Sequence, residues 1–449
     1  MNILKSCNEK TRLELTSITL NSTDNYRPIR FLVYHPVEAG VLVYNTLTEG
    51  AFFLNQTEEQ EFKTVGPLSS ELRKVLGNNG FLVPDGFNEL TFVDDLRFYE
   101  ELRNCLPVNF RRFHIYPTTG CNARCYYCFE EGLPVRHMSK ETAEKTADFI
   151  IRNSGKEPVQ ITWFGGERTT AFPIIDLISS RLNDSGIPFT SVFKTNGYLL
   201  TEDTYYKSKE VYHTTLIQIP IDGTGETYNK TKSYINVPAD TDPFKRVMNN
   251  IENLLNYGIS VDIRLNIGMH NISEIPVILE TLVLRFGDNS AFGIFPQVLN
   301  EGGTNTYTPE ERKMLFQVQK ESYRYLTDHH VRIGQNRFRL PSLRRFCCMA
   351  DSPVCVGITP EGKLSKCPEN INHSHFFGSV LNPEEISEEN IEYFQDKKTP
   401  EKCRECIFYP SCMALTKCIA RQNECSDAHK DFRLWKTKAY LENLYLSSE

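Results

Sequence analysis

The chain has 449 residues, 40% of them hydrophobic and 24% charged, with a formal net charge of −7. That is enough apolar material for a large core, and an acidic balance with no long basic stripe argues against nucleic acid as the main partner. No apolar run approaches the roughly twenty residues that cross a bilayer, and Met1–Cys7 lacks the apolar core of a secretion signal, so a soluble cytoplasmic protein with no membrane partner is expected.

Residues 1–27 are polar and carry little periodic signal. Arg30–Tyr34, Gly40–Asn45 and Ala51–Leu54 read as strands, with Thr48-Glu49-Gly50 as a turn. Ser69–Leu76 reads as a short helix with a serine cap, and Gly80–Pro84 closes the unit. Residues 1–95 thus form a small α+β module. It serves either as a structural cap or as a docking module whose exposed strand edge pairs with a partner strand. An acidic helical linker, Asp94–Glu101, joins it to the core.

From residue 112 to about 300, short apolar strands alternate with helical stretches. Strands are expected at 112–117, 159–164, 189–194, 215–221, 260–267 and 291–297. Helices begin near Ser139, Ala171, Thr201, Pro243 and Asn271. Such alternation means parallel strands joined by helical crossovers. Six units predict an α/β fold with a partial (β/α)6 TIM-like barrel; a doubly wound sheet is the alternative.

The polar signatures fall just after the strands, where sites form in parallel α/β folds. Cys121-x3-Cys125-x2-Cys128 follows the first, Gly165-Gly166-Glu167 the second, Thr195-Asn196-Gly197 the third and Asp222-Gly223 the fourth. The fifth carries Arg264 and Asn266 on one face. The C-x3-C-x2-C spacing lets three thiols reach three corners of one iron–sulfur cube, leaving the fourth iron open. The Gly-Gly pair permits close backbone approach to a ligand, or is only a turn. Tyr127 stacks on a flat ring or packs under the loop. Arg264 pairs with a carboxylate ligand or makes a barrel-interior ion pair.

Nine of the fourteen cysteines lie between Cys347 and Cys425: Cys347, Cys348, Cys355, Cys367, Cys403, Cys406, Cys412, Cys418 and Cys425. Cys7 and Cys105 stand alone and read as ordinary thiols. Clustered thiols in a reducing compartment are more often metal ligands than disulfides. Nine suffice for two four-cysteine sites, and the spacing alone admits zinc or iron–sulfur.

The motifs from about Phe113 to Gln297 together resemble the radical S-adenosylmethionine (SAM) enzymes. The resemblance implies a [4Fe–4S] cluster on Cys121, Cys125 and Cys128, with SAM on the open iron. One electron would cleave SAM to a 5′-deoxyadenosyl radical that takes a hydrogen from substrate. Gly165, Gly166 and Glu167 would face the methionine amino group, Tyr127 the adenine, and Asp222, Arg264 and Asn266 the ribose and carboxylate side; Thr195 and Asn196 would complete the rim. Three positions depart from the common pattern: Arg168 for proline, Pro220 for serine and Lys232 for arginine.

Residues 321–449 resemble the SPASM domain of radical SAM enzymes that modify peptides and proteins, through Gly362-x4-Cys367 and Cys403-x2-Cys406-x5-Cys412. The implied interleaving puts Cys348, Cys355, Cys367 and Cys418 on one [4Fe–4S] cluster, with Cys347 competing for the first place, and Cys403, Cys406, Cys412 and Cys425 on another. Three clusters in all are expected. Asp427–Leu446 reads as a closing helix. With residues 96–320 as the barrel and a winged-helix-like N-terminal module resembling a leader-recognition element, the whole resembles a radical SAM/SPASM maturase of ribosomally made precursor peptides. Its product would be a thioether or carbon–carbon crosslink, its electron donor a flavodoxin or ferredoxin. Alternatives are a formylglycine-forming sulfatase maturase, a peptide epimerase, or a non-enzymatic iron–sulfur carrier or peptide-binding protein.

Overall fold

The computed structural model describes residues 1–20, 25–104, 109–299, 307–336, 338–343, 349, 350, 352–367, 375–387, 389–391, 401–412 and 425–448, and regular elements begin at Asn2. It contains β1 (Asn2–Lys5), α1 (Glu9–Thr19), β2 (Tyr26–Pro28), β3 (Leu32–Val37), β4 (Gly40–Asn45), β5 (Ala51–Leu54), α2 (Gln56–Lys63), α3 (Glu71–Asn78) and β6 (Leu82–Pro84). β4 and β5 have their predicted bounds. α1 escapes the apolar period because its buried positions are Leu15 and three threonines, Thr11, Thr16 and Thr19. A cap at Asn8, whose side chain accepts from the Thr11 amide, starts it.

The antiparallel order is β1-β5-β4-β3, so β1 lies along the outer edge of β5. One face of the sheet, with Val41, Val43, Phe52 and Leu54, closes the module's own core over Phe62 and Phe81. The other, with Val33, Leu42 and Tyr44, packs on Leu441 of the C-terminal helix. The expected linker is part of α4 (Glu89–Asn104), and it is not a free connector. Phe92, Val93 and Leu96 enter the module's core, and Arg97 donates to the Tyr409 carbonyl at 2.7 Å.

The central sheet follows: β7 (Arg112–Ile115), α5 (Lys140–Ser154), β8 (Val159–Trp163), α6 (Phe172–Ser185), β9 (Phe189–Lys194), α7 (Glu202–Glu210), β10 (Thr214–Ile221), α8 (Gly225–Lys232), α9 (Pro243–Asn256), β11 (Val261–Ile267), α10 (Ile275–Phe286), β12 (Phe292–Val298) and α11 (Pro309–Asp328). β7 to β12 pair in sequence order, each parallel to the last. A doubly wound sheet would reverse that order at a switch point, so the sheet is singly wound, as in a barrel. Residues facing the helices, such as Phe113, Ile115, Ile161, Trp163, Ile219 and Ile263, are buried. The alternate residues face inward. His114, Thr162, Val192 and Leu216 are register neighbours across four strands, and all four keep partial exposure. Deeper in the barrel, buried Asp262 is held by Arg332 (2.7 Å) and by the Gln335 amide (2.8 Å), which fastens the segment after α11.

The sheet then continues past β7. β13 (Cys355–Ile358) pairs with it in parallel, and β14 (Lys363–Ser365) and β15 (Gly378–Ser379) add on antiparallel. The C-terminal helix spans Asp427–Leu446, as predicted, with Phe432 and Leu441 buried. No described helix is long and apolar enough to cross a membrane. Cys105, Cys347, Cys348 and Cys418 lie outside the described residues.

Candidate active site

The turn after β7 is shaped by Thr118. Its hydroxyl accepts from the Gly120 amide (2.8 Å) and donates to the Arg136 carbonyl (2.9 Å). The loop that follows brings Cys121, Cys125 and Cys128 close enough for each to feel the others' charge. Burial pushes the Cys121 thiol up to about 11 and raises Cys125 and Cys128 as well. Free, these thiols hold their protons at neutral pH, so metal loading releases protons. The donor set fits the implied cluster: three soft thiols on one short loop. Among the described residues no three His, Cys, Asp or Glu side chains close round a single ion.

Beneath the loop lies a buried polar network. Asp222 is fully buried, with Lys232 Nζ 2.8 Å from its Oδ2 and Asn266 Nδ2 2.8 Å from its Oδ1. Lys232 also donates to the Tyr127 hydroxyl (3.0 Å), as does Asn266 (3.3 Å). Burial alone would raise Asp222, but the Lys232 ammonium and its hydrogen bonds hold the carboxyl below its usual range. Burial would lower Lys232; the Asp222 carboxylate raises it well above its ordinary value. The pair is therefore charged. Asn271 ties the same ends together, donating to the Asp222 and Asn266 carbonyls. Asn266 Oδ1 and Asn122 Nδ2 are buried without a partner, and each is a polar contact that a ligand such as SAM would fill.

The strand-end motifs meet on the other side. Glu167 is buried, and its carboxylate accepts from the Thr169 amide and hydroxyl, the Thr195 hydroxyl and the Asn196 amide, at 2.7–3.1 Å. Asn196 in turn donates to Asn122 in the cysteine loop (2.7 Å). Gly165 and Gly166 have φ of +81° and +30°. Their close approach is to the chain's own turn. A Cβ on Gly165 would stand 2.4 Å from the Tyr116 ring, and one on Gly166 2.3 Å from the Gly120 carbonyl oxygen. Arg264 lies half-buried on the same strand face as Asn266. The structure thus joins Tyr127, Asp222 and Asn266 in one network and Glu167, Thr195 and Asn196 in another, both touching the cysteine loop.

Three residues outside the expected set belong here. Lys232 stood out only as a departure from pattern, yet it links Asp222 to Tyr127. Glu130 accepts from the Gly166 amide (2.6 Å), and burial raises its carboxyl. Arg168 donates to both glycine carbonyls. The contacts of Lys232 with Tyr127 and of Glu130 with Gly166 come from chain crossings that no local spacing announces, whereas Arg168 folds back on its own turn.

In the C-terminal region, Cys403, Cys406, Cys412 and Cys425 come together. Cys403 and Cys425, both raised first by burial, each feel Cys406 and Cys412. The backbone coils tightly there: the Cys406 amide bonds the Cys403 carbonyl (3.1 Å) and the Cys412 amide bonds that of Tyr409 (3.3 Å). β13, which begins at Cys355, and β14, two residues before Cys367, pair Gly357 with Ser365, and Lys366 Nζ donates to the Cys355 carbonyl (2.8 Å).

Residues 115–282 match the Radical SAM superfamily. With the thiol loop and the rim network, this defines the central domain as that of a radical SAM enzyme. The fold is similar to native anSMEcpe with bound AdoMet, at 15% identity and a TM-score of 0.58, covering 75% of this chain and 100% of that one. It is also similar to Streptococcus suis SuiB bound to precursor peptide SuiA, at 13% identity and a TM-score of 0.53, covering 88% and 96%. Native anSMEcpe with AdoMet and the Cp18Cys peptide aligns at 16% identity and a TM-score of 0.56, covering 75% and 98%. No curated protein matches the chain.

Proposed function

We propose that this enzyme modifies a ribosomally made precursor peptide, joining a core residue through a thioether or carbon–carbon bond. The convergence of three thiols over the Asp222–Lys232 pair carries the radical half of this reading. Cys121, Cys125 and Cys128 would hold a [4Fe–4S] cluster, and the groups round Tyr127, Asn266 and Asn122 would hold SAM. Bound there, SAM and the cluster supply a radical that abstracts hydrogen from a substrate carbon. The chain's own part is to fix these groups. Lys232 and Asn266 hold the Tyr127 hydroxyl, and Glu167 fastens the Thr195-Asn196 turn to the second strand end.

The peptide half is supported by the flanking regions. Both SuiB and anSMEcpe are described with peptides, and SuiB covers more of this chain, 88% against 75%. In this reading Cys403, Cys406, Cys412 and Cys425 hold an auxiliary [4Fe–4S] cluster, and Cys355 and Cys367 contribute to a second with cysteines outside the described residues. The N-terminal sheet is the docking module. Because β1 takes the edge of β5, a leader strand would pair outside β1, displace it, or pair on β3 at the sheet's other edge. A flavodoxin or ferredoxin would deliver electrons.

Two measurements test this. Anaerobically reconstituted protein with dithionite and SAM should release 5′-deoxyadenosine, and Cys125→Ala should not; a fully loaded wild type that releases none overturns the radical reading. Co-expression with the small peptide encoded beside the gene, followed by tandem mass spectrometry, should show two peptide residues linked. A formylglycine in a protein substrate instead would assign the chain to sulfatase maturation.

A further inference from the structure

The Cys403–Cys412 segment is remote from the N-terminal module in sequence and lies directly on it in space. Cys403 packs against the module's own core, which also takes in Tyr409. Cys406 and Phe408 pack against the other face of its sheet, with Val33, Leu42 and Tyr44. Phe31, just before β3, stacks on the Tyr409 ring at 6.4 Å. The Thr46 hydroxyl, just after β4, donates to the Ile407 carbonyl (2.7 Å), and Arg30 pairs with Glu405 (2.8 Å). The segment's own regular structure is one helical turn at Glu401–Arg404 and one turn of 3-10 helix at Tyr409–Ser411. That is too little to hold three thiols in place unaided.

Arg97 of α4 makes the link to Cys412. It is 7% exposed, and its guanidinium lies 4.7 Å from the centre of the Tyr409 ring. Its Nη2 is 2.7 Å from the Tyr409 carbonyl, 3.2 Å from that of Cys412 and 3.4 Å from that of Pro410. Three carbonyl oxygens thus converge on one cation where the 3-10 turn ends, and carbonyls at a helix end are the ones left without partners. Asp94, one turn earlier in α4, is the counter-charge. It lies 3.9 Å from Arg97 and 3.5 Å from Arg404, and accepts from the Tyr409 hydroxyl.

We propose that Arg97 is a positioning residue for the metal group on Cys403, Cys406, Cys412 and Cys425. It caps the turn that presents Cys412 and fixes a positive charge beside the site. The N-terminal module is then a wall of the redox centre as well as the docking surface. This rests on the auxiliary cluster proposed above. Reducing such a cluster adds one negative charge, which a guanidinium held at the Cys412 carbonyl favours and the Asp94 carboxylate opposes.

The test uses anaerobically reconstituted full-length protein: wild type, Arg97→Gln, Arg97→Lys and Asp94→Asn. A redox titration followed by electron paramagnetic resonance gives the midpoint potential of the cluster whose signal Cys412→Ala lacks. A second arm follows iron and zinc lost to a chelator. Arg97→Gln should lower the potential and lose C-terminal metal about tenfold faster than wild type or more. Arg97→Lys should hold the potential near that of wild type but recover only part of the retention, because the charge stays while the fork that spans the carbonyls is lost. Asp94→Asn should raise the potential, and it carries the test if Arg97→Gln fails to load metal. A potential that moves in neither Arg97→Gln nor Asp94→Asn, or Gln and Lys variants of Arg97 that behave alike, overturns the assignment. Zinc on these thiols in wild type would overturn the cluster reading alone, and zinc loss from the same variants would then decide the role of Arg97. Wild type with no metal on the four thiols overturns both.

Discussion

Lys232 Nζ lies 2.8 Å from Asp222 Oδ2, with side-chain exposures of 2% and 0%. The lysine also reaches the hydroxyl of Tyr127, the residue between Cys125 and Cys128. A buried ion pair therefore supports the loop that carries the thiols.

Lys232→Met leaves the Asp222 carboxylate buried and uncompensated. It should lose about 3–5 kcal/mol in urea unfolding, whereas Asp222→Leu combined with Lys232→Met should lose less than the sum of the single changes. Strictly additive losses would mean that the pair is not coupled.

Gly166→Ala should be worse than its one methyl suggests. Its Cβ would stand 2.3 Å from the Gly120 carbonyl oxygen, and φ is +30°. The turn must shift, which should lower thermal stability by a few degrees and reduce iron retained by the adjacent Cys121 loop. Gly132→Ala, which meets no atom within 4 Å but also has positive φ, is the control for backbone strain alone.

Iron content separates the thiol sets. Wild type reconstituted without air should bind about twelve irons, and Cys125→Ala and Cys412→Ala should each lose about four, while Cys7→Ala should lose none. Atomic absorption decides it. Zinc in the C-terminal region, with about four irons per chain, would sink the auxiliary-cluster assignment.

His114 gives a pH prediction. Burial first, then the charges of Lys194 and Arg112, lower it from its ordinary 6.5 to about 4. The unfolded chain therefore takes up a proton that the folded one refuses. Stability from this residue is full above pH 6.5 and falls as pH drops toward 4, by about 1.4 kcal/mol per unit. His114→Phe should flatten the slope of unfolding free energy between pH 6.5 and 4.5; an unchanged slope would show that His114 takes up its proton in the fold as readily as in the unfolded chain.

The strands of the barrel were legible because each buries its helix-facing residues at every second position, as in Ile217-Gln218-Ile219-Pro220-Ile221, and ends at a polar turn. Ser139, Asp242 and the C-terminal Ser426 are side-chain caps of the kind that sequence reveals. α1 was hidden by threonines on its buried face, and the charges of α4 concealed that Phe92, Val93 and Leu96 point into a core. The thiol loop announced itself by spacing. Lys232 did not, because its role arises where its helix end meets the cysteine loop and the end of another strand. A lysine at the end of a short polar helix looks solvated until the fold places it against Asp222.

The pairing of β13 with β7 has a consequence for access. In a closed barrel the first strand would hydrogen-bond the last, but both edges of β7 are taken, by β8 and β13. Among the described residues β12 does not pair with β7, so the sheet stays open on that side, with Ile294 of β12 bridged to Ile333 instead. A closed barrel admits ligands end-on, through a mouth. An open side admits a long chain sideways, so that one residue can sit inside while its neighbours on both sides remain in solvent.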